Sequence, residues 1–126
     1  MDQPMTQSWS KIRERYAEKV GYGLPYQGML RLVEQIEQSK FANGLFAWTS
    51  MHDLCIVQTP VSFPYYGPCL RISPRDNGTI EFRYIDTYVK ENQWHRVVHA
   101  DFAFERLVHF TEQLHWFVPS DVKSTS

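Results

Sequence analysis

The sequence predicts a single two-layer α+β domain: a twisted antiparallel sheet of four to five strands, with two N-terminal helices and one C-terminal helix packed on one face. Three observations lead there. Apolar residues recur at helical spacing before Leu45, alternate or cluster in strand-like runs from Leu45 to His99, and return to helical spacing after Asp101. Helices, then consecutive strands, then a helix is the order of an α+β chain, not of an alternating parallel one.

Ser8 or Ser10 is placed to cap a first helix reaching about Val20. Trp9, Ile12, Tyr16 and Val20 form its apolar stripe, and Lys11, Arg13, Glu14, Arg15, Glu18 and Lys19 fill the remainder. Gly21-Tyr22-Gly23 stops it. Pro25 opens a second helix with Met29, Leu32, Val33 and Ile36 facing inward, and Asn43-Gly44 terminates that segment. Leu45–Thr49 and Leu54–Gln58 flank the link Ser50-Met51-His52-Asp53 as two strands of a hairpin. A loop punctuated by Pro60, Pro64 and Pro68 follows, carrying Phe63, Tyr65 and Tyr66.

The stretch from Cys69 to Asp86 reads as a second hairpin whose register follows from parity. A two-residue Asn77-Gly78 loop would set Ile72 against Arg83 and Ser73 against Phe82, mixing polar and apolar groups on both faces. A three-residue loop from Asp76 to Gly78, with Gly78 left-handed, pairs Ile72 with Phe82 and Leu70 with Tyr84. One face is then apolar throughout. The other pairs Ser73 with Glu81 and Arg71 with Arg83, and two arginines opposite each other need a compensating anion. Glu81 on the diagonal, or a group from another molecule, is the expected source.

Trp94–His99 is a fifth strand candidate after the polar break Lys90-Glu91-Asn92-Gln93. Asp101 is expected to cap a last helix reaching about Phe117. Its inward side holds Phe104, Leu107, Val108, Thr111, Leu114 and Val118, widened by Phe102, Phe110 and Phe117, which marks it as the most buried helix. Pro119 ends it. The domain is thus expected over residues 1–119, with a flexible C-terminal tail over 120–126.

The chain has 126 residues, enough to bury roughly two-thirds of its unfolded surface. Apolar residues make up 43% and charged residues 21%, with a formal net charge of −1, so neither disorder nor a broad basic field is indicated. Nucleic acid is excluded as an expected partner on that ground. No stretch approaches the roughly 20 apolar residues of a membrane span. Met1 to Ser10 holds no apolar run of the signal-peptide type, so the expected location is cytoplasmic, with Cys55 and Cys69 as reduced, half-buried thiols. The sequon Asn77-Gly78-Thr79 is accounted for by the turn.

His95 and His99 share one side of a strand four residues apart, a spacing that places two imidazoles on one metal far better from a helix. His109 and His115 fall on opposite sides of the last helix. His52 and Asp53 beside Cys55 have the composition of a cysteine–histidine–acid set, but Leu54 and Ile56 put that cysteine in an apolar strand, where its thiol resists ionisation. Gly21 and Gly23 lack the preceding strand and the following lysine of a phosphate loop. No Gly-x-Ser-x-Gly elbow or paired-carboxylate motif is present, and Glu34 and Glu37 read as the solvated face of the second helix.

Two features stand out. One is the open hairpin face with Arg71, Ser73, Glu81 and Arg83, since arginine makes bidentate contacts to carboxylates. The other is the Pro60–Pro68 loop, whose prolines limit the entropy lost on binding while Phe63, Tyr65 and Tyr66 supply contact area. The sequence therefore points to a small protein-binding or accessory domain more than to an enzyme. It is expected to need no cofactor and to dock another protein through Phe63, Tyr65, Tyr66, Arg71 and Arg83. The rival expectation is a ligand- or metal-binding module, or a small enzyme, using His95 and His99 or Cys55 in a pocket between sheet and helices. A homodimer through a sheet edge or face is the third.

Overall fold

A computed structural model of the chain describes residues 3–63, 65, 67–75, 77–85 and 94–113. In chain order these form β1 (Gln3–Pro4), α1 (Trp9–Gly21), α2 (Gln27–Glu37), a 3-10 turn (Lys40–Asn43), β2 (Phe46–Ser50), β3 (Asp53–Val57), β4 (Ser62–Phe63), β5 (Cys69–Pro74), β6 (Thr79–Ile85), β7 (Trp94–His99), a further 3-10 turn (Ala100–Phe102) and α3 (Ala103–Gln113). The expected α+β architecture is what forms. A five-stranded antiparallel sheet runs in the order β2-β3-β5-β6-β7, and β1 pairs with β4 as a separate two-stranded ribbon. α1 lies over β2, α2 over β6 and α3 over β7.

Ser8, not Ser10, caps α1, its Oγ accepting the Lys11 N–H at 3.2 Å. Ser10 Oγ instead donates to Glu37 on α2, beside an Arg13–Glu37 ion pair at 2.9 Å, so α1 and α2 are tied across their solvated edge. The expected stripe is buried at Trp9, Ile12 and Tyr16, and the Trp9 indole donates to Leu45 O at 3.1 Å. At the other end of α1, Tyr16 Oη donates to His52 O at 2.9 Å and Lys19 Nζ to Met51 O at 2.7 Å. These bonds hold the two-residue β2–β3 turn, whose first residue, Met51, has a φ of 58° where glycine is the usual occupant.

The parity argument is met in full on β5 and β6. Leu70 lies opposite Tyr84, Ile72 opposite Phe82, Ser73 opposite Glu81 and Arg71 opposite Arg83. Gly78 has a φ of +80°, and Arg75 N–H closes the loop onto Thr79 O at 3.0 Å. Beneath the sheet, Leu54, Ile56, Leu70, Ile72, Phe82, Met29, Leu32, Val33, Ile36, Leu107 and Phe110 are almost wholly excluded from water. Tyr84 meets Phe110 at 5.6 Å and Phe41 meets Phe104 at 6.1 Å between ring centroids, so aromatic pairs close both flanks of the core.

Gly28 sits inside α2, where glycine costs helix stability. A Cβ there would fall 2.7 Å from Ala100 Cβ and 3.4 Å from Ile80 Cδ1. The glycine is what lets α2 close onto the β7–α3 junction. Gly28→Ala would regain about 1 kcal/mol of helix propensity but overpack a rigid contact at about 1–3 kcal/mol. A net loss of stability is expected, read as a lower Tm by circular dichroism.

Two expectations for the last helix change. A 3-10 turn leads into it, capped by His99, whose Nδ1 accepts the Asp101 N–H at 3.1 Å, while the Asp101 carboxylate reaches Arg31 at 2.8 Å. Phe102 is 59% exposed, because the inward phase of α3 runs Ala103, Leu107, Phe110 and Thr111, leaving Phe102 in step with Arg106 and His109. Over its described length α3 is no more buried than α2, which contacts both other helices. Leu114, His115, Phe117, Val118, Pro119 and the 120–126 tail lie outside the described residues, as do Tyr66, Asp76 and Asp86.

Candidate functional site

The sheet face away from the helices carries one continuous row: Trp48, Cys55, Arg71, Arg83 and His95, each opposite the next across five strands. Strand alternation puts these residues on one side once the intervening positions are committed to the core. The row grades from apolar at β2 to cationic at β5 and β6.

Arg71 and Arg83 differ in how they are held. Arg71 Nε donates to Asp53 Oδ2 at 2.6 Å, a pair with side chains 28% and 19% exposed. Burial opposes the charge on Arg71, but the carboxylate outweighs it and raises the guanidinium pKa. The compensating acid is therefore Asp53, from β3. Glu81, the expected source, binds His95 Nε2 at 2.7 Å and stands 3.8 Å from Arg75. Sequence reasoning missed Asp53 because it weighed hairpin neighbours alone, and Asp53 enters through the β3–β5 pairing. Among the described residues Arg83 has no such acid. Its Nε is shut away from water with no hydrogen-bond acceptor, and Ser73 Oγ shares that condition.

The proline loop reaches the same face at one point. Tyr65 sets its ring edge-on to Trp48 at 6.1 Å and donates its hydroxyl to Pro68 O at 2.8 Å. A Cβ at Gly67 would strike that ring, so glycine at 67 is needed for the fold-back. Phe63 stands apart on β4, opposite Gln3 and 65% exposed. Tyr66 lies outside the described residues. The β2–β3 end of this face is thus not bare: Cys55 and Val57 are each 2% exposed.

Cys55 and Cys69 lie diagonally across β3 and β5, both as free thiols. The Cys55 thiol is pushed up by its hydrogen bond to Cys69 and by burial. Cys69 is drawn down by accepting that bond, assisted by Arg71 and Arg83. Cys69 is also the more exposed of the two. We expect iodoacetamide to modify Cys69 well before Cys55 in the folded protein. Arg83→Gln should slow the Cys69 reaction at neutral pH, since one of the cations favouring the thiolate is gone. Peptide mass mapping after timed labelling reads both effects.

The remaining candidates do not converge. His95 and His99 share the open face but stand about 13 Å apart along the strand, each engaged by its own acid, Glu81 at 2.7 Å and Asp101 at 3.5 Å. His52 contacts Lys19 Nζ at 3.0 Å, and Asp53 is taken by Arg71, so neither serves Cys55. Among the described residues no three His, Cys, Asp or Glu side chains gather as a metal site. A surface cleft of about 450 Å³ lies beside β7, lined by Val98, His99, Phe102, Glu105, Arg106 and His109. His99 borders it, while His95 and Cys55 do not. No described helix is long and apolar enough to cross a membrane. Compared with protein-family models, curated proteins and solved structures, the chain has no match.

Proposed function

We propose that this chain is a small protein-binding domain whose open sheet face docks an acidic segment of a partner protein. The observation that carries this reading is Arg83: among the described residues no acid pairs with it, whereas Arg71 opposite it is held by Asp53. An acid brought by a partner would supply the compensation that Asp53 gives Arg71. Arginine also fits a carboxylate with two parallel N–H bonds. Beside the cation, Trp48 and Tyr65 offer aromatic surface of the kind that anchors interfaces, with Phe63 exposed on the neighbouring ribbon. Tyr66 belongs to the same reading through its position in the loop.

Affinity capture with the wild-type chain and with Arg83→Gln tests the reading, alongside thermal melts of both. The expected result is a bound protein that the variant loses while its Tm stays level or rises. Equal capture by both chains would refute the role of Arg83. Arg71→Gln is a poor substitute, because it strands Asp53 and should lower Tm as well.

A further inference from the structure

The two outer edges of the sheet are not alike. β2 is closed at its middle, where Gln7 N–H donates to Ala47 O at 2.8 Å. Among the described residues β7 ends the sheet on the other side, with His95, Arg96, Val97 and His99 exposed. An edge strand with free backbone groups is a template for a further strand.

Which groups are free can be worked out from the ladder. Ala100 N–H donates to Gly78 O at 3.0 Å, and in the β6–β7 register Ile80 faces Val98 and Phe82 faces Arg96. Antiparallel pairs alternate between hydrogen-bonded and non-bonded, so Val98 and Arg96 spend their N–H and C=O groups on β6. Those of His95, Val97 and His99 point outward. Arg96 Nη1 donating to His95 O at 2.9 Å agrees, since that carbonyl must face away from β6 to be reached.

We propose that two copies of this chain join β7 to β7, antiparallel about a two-fold axis at Val97, to make one ten-stranded sheet. This goes beyond the docking role and uses a different surface. With Val97 facing Val97, His95 of each copy pairs with His99 of the other, so all three outward residues exchange both backbone bonds. Shifting the register by two leaves one of the three without a partner inside the strand. Val97, 44% exposed, would then be covered.

A second copy also brings a reciprocal helix-side contact that an arbitrary strand would not. The same register sets Arg96 of one copy opposite Val98 of the other, on the helix side of the sheet. Val98 lines the cleft together with His99, Phe102, Glu105, Arg106 and His109. Arg96 from the second copy would release its own His95 carbonyl, now bonded across the interface, and enter beside Glu105. Its aliphatic stem would cover Phe102, which is 59% exposed. The contact occurs twice by symmetry.

Light scattering of the full chain over a concentration series should show a species of twice the 14.9 kDa chain mass. Val97→Pro removes a donor that β6 does not use, so the variant should keep its circular dichroism spectrum and halve in mass. Val97→Cys should cross-link between copies under oxidised glutathione, beyond any background from the parent chain, whereas Val98→Cys, which faces Arg96, should not. Arg83→Gln should leave the dimer intact. A monomer at every concentration overturns the proposal, as does a dimer that persists in folded Val97→Pro. Equal cross-linking at 97 and 98 also overturns it, and decides the matter if Val97→Pro does not fold.

Discussion

Phe82→Ala is expected to cost about 3–5 kcal/mol, while Arg83→Gln, one residue further on, should shift stability by no more than about 0.5 kcal/mol. Phe82 is wholly buried on the helix side of β6, opposite Ile72, so truncation leaves a cavity that α2 and the neighbouring strands cannot close. Arg83 points to the other face and, among the described residues, holds no acid that its loss would strand. Domains of this kind are stable by only about 5–15 kcal/mol, so the first change consumes a large part of the total. Urea unfolding of the two variants measures the difference. Comparable losses would mean that the β6 side chains are not sorted between faces as the register requires.

Above about pH 10 the protein is expected to lose stability by up to about 1.4 kcal/mol per pH unit through a single proton, and Tyr16→Phe should remove that component. Burial, first, and the charge of Asp53 hold the Tyr16 phenol well above its ordinary value near 10. At neutral pH the phenol is protonated in both folded and unfolded chains and adds no pH dependence. As pH rises past the unfolded value, the unfolded chain releases a proton that the folded chain retains, so unfolding gains. The loss continues until the folded phenol titrates. Tyr16→Phe also gives up the bond to His52 O, at about 1 kcal/mol near neutrality. Urea midpoints taken across the alkaline range should therefore start lower in the variant but decline less steeply. Parallel declines would assign the slope to other groups.

The two substitutions sit on either side of what could be read ahead of the structure. Phe82 was legible: with strand period two and a Gly78 turn at fixed offset, only one loop length makes a uniform apolar face, and the partners lie within a dozen residues. The stripes of α1 and α2 were legible for the same reason, since helical period alone sorts Ile12 and Tyr16 or Met29 and Leu32 from their neighbours. The grip of Tyr16 and Lys19 on the β2–β3 turn was not, because it joins positions more than thirty residues apart. Phe102 misled because periodicity shows which residues share a phase, not where the phase begins. The 3-10 turn capped by His99 sets that start.

At the candidate site the division is sharper. Arg71 opposite Arg83 follows from the hairpin, but their different fates depend on Asp53, whose place is decided by how β3 joins β5. The fold-back of Tyr65 onto Trp48 and the diagonal of Cys55 and Cys69 also depend on that junction. Gly28 has a reason to be glycine only once α2 lies against Ala100. Local pattern and turn chemistry, acting over a few residues, settled the elements, their faces and one hairpin register. Long-range pairing and close approach, set by global packing, decided which charged group is neutralised, which ring is covered and which strand ends the described sheet.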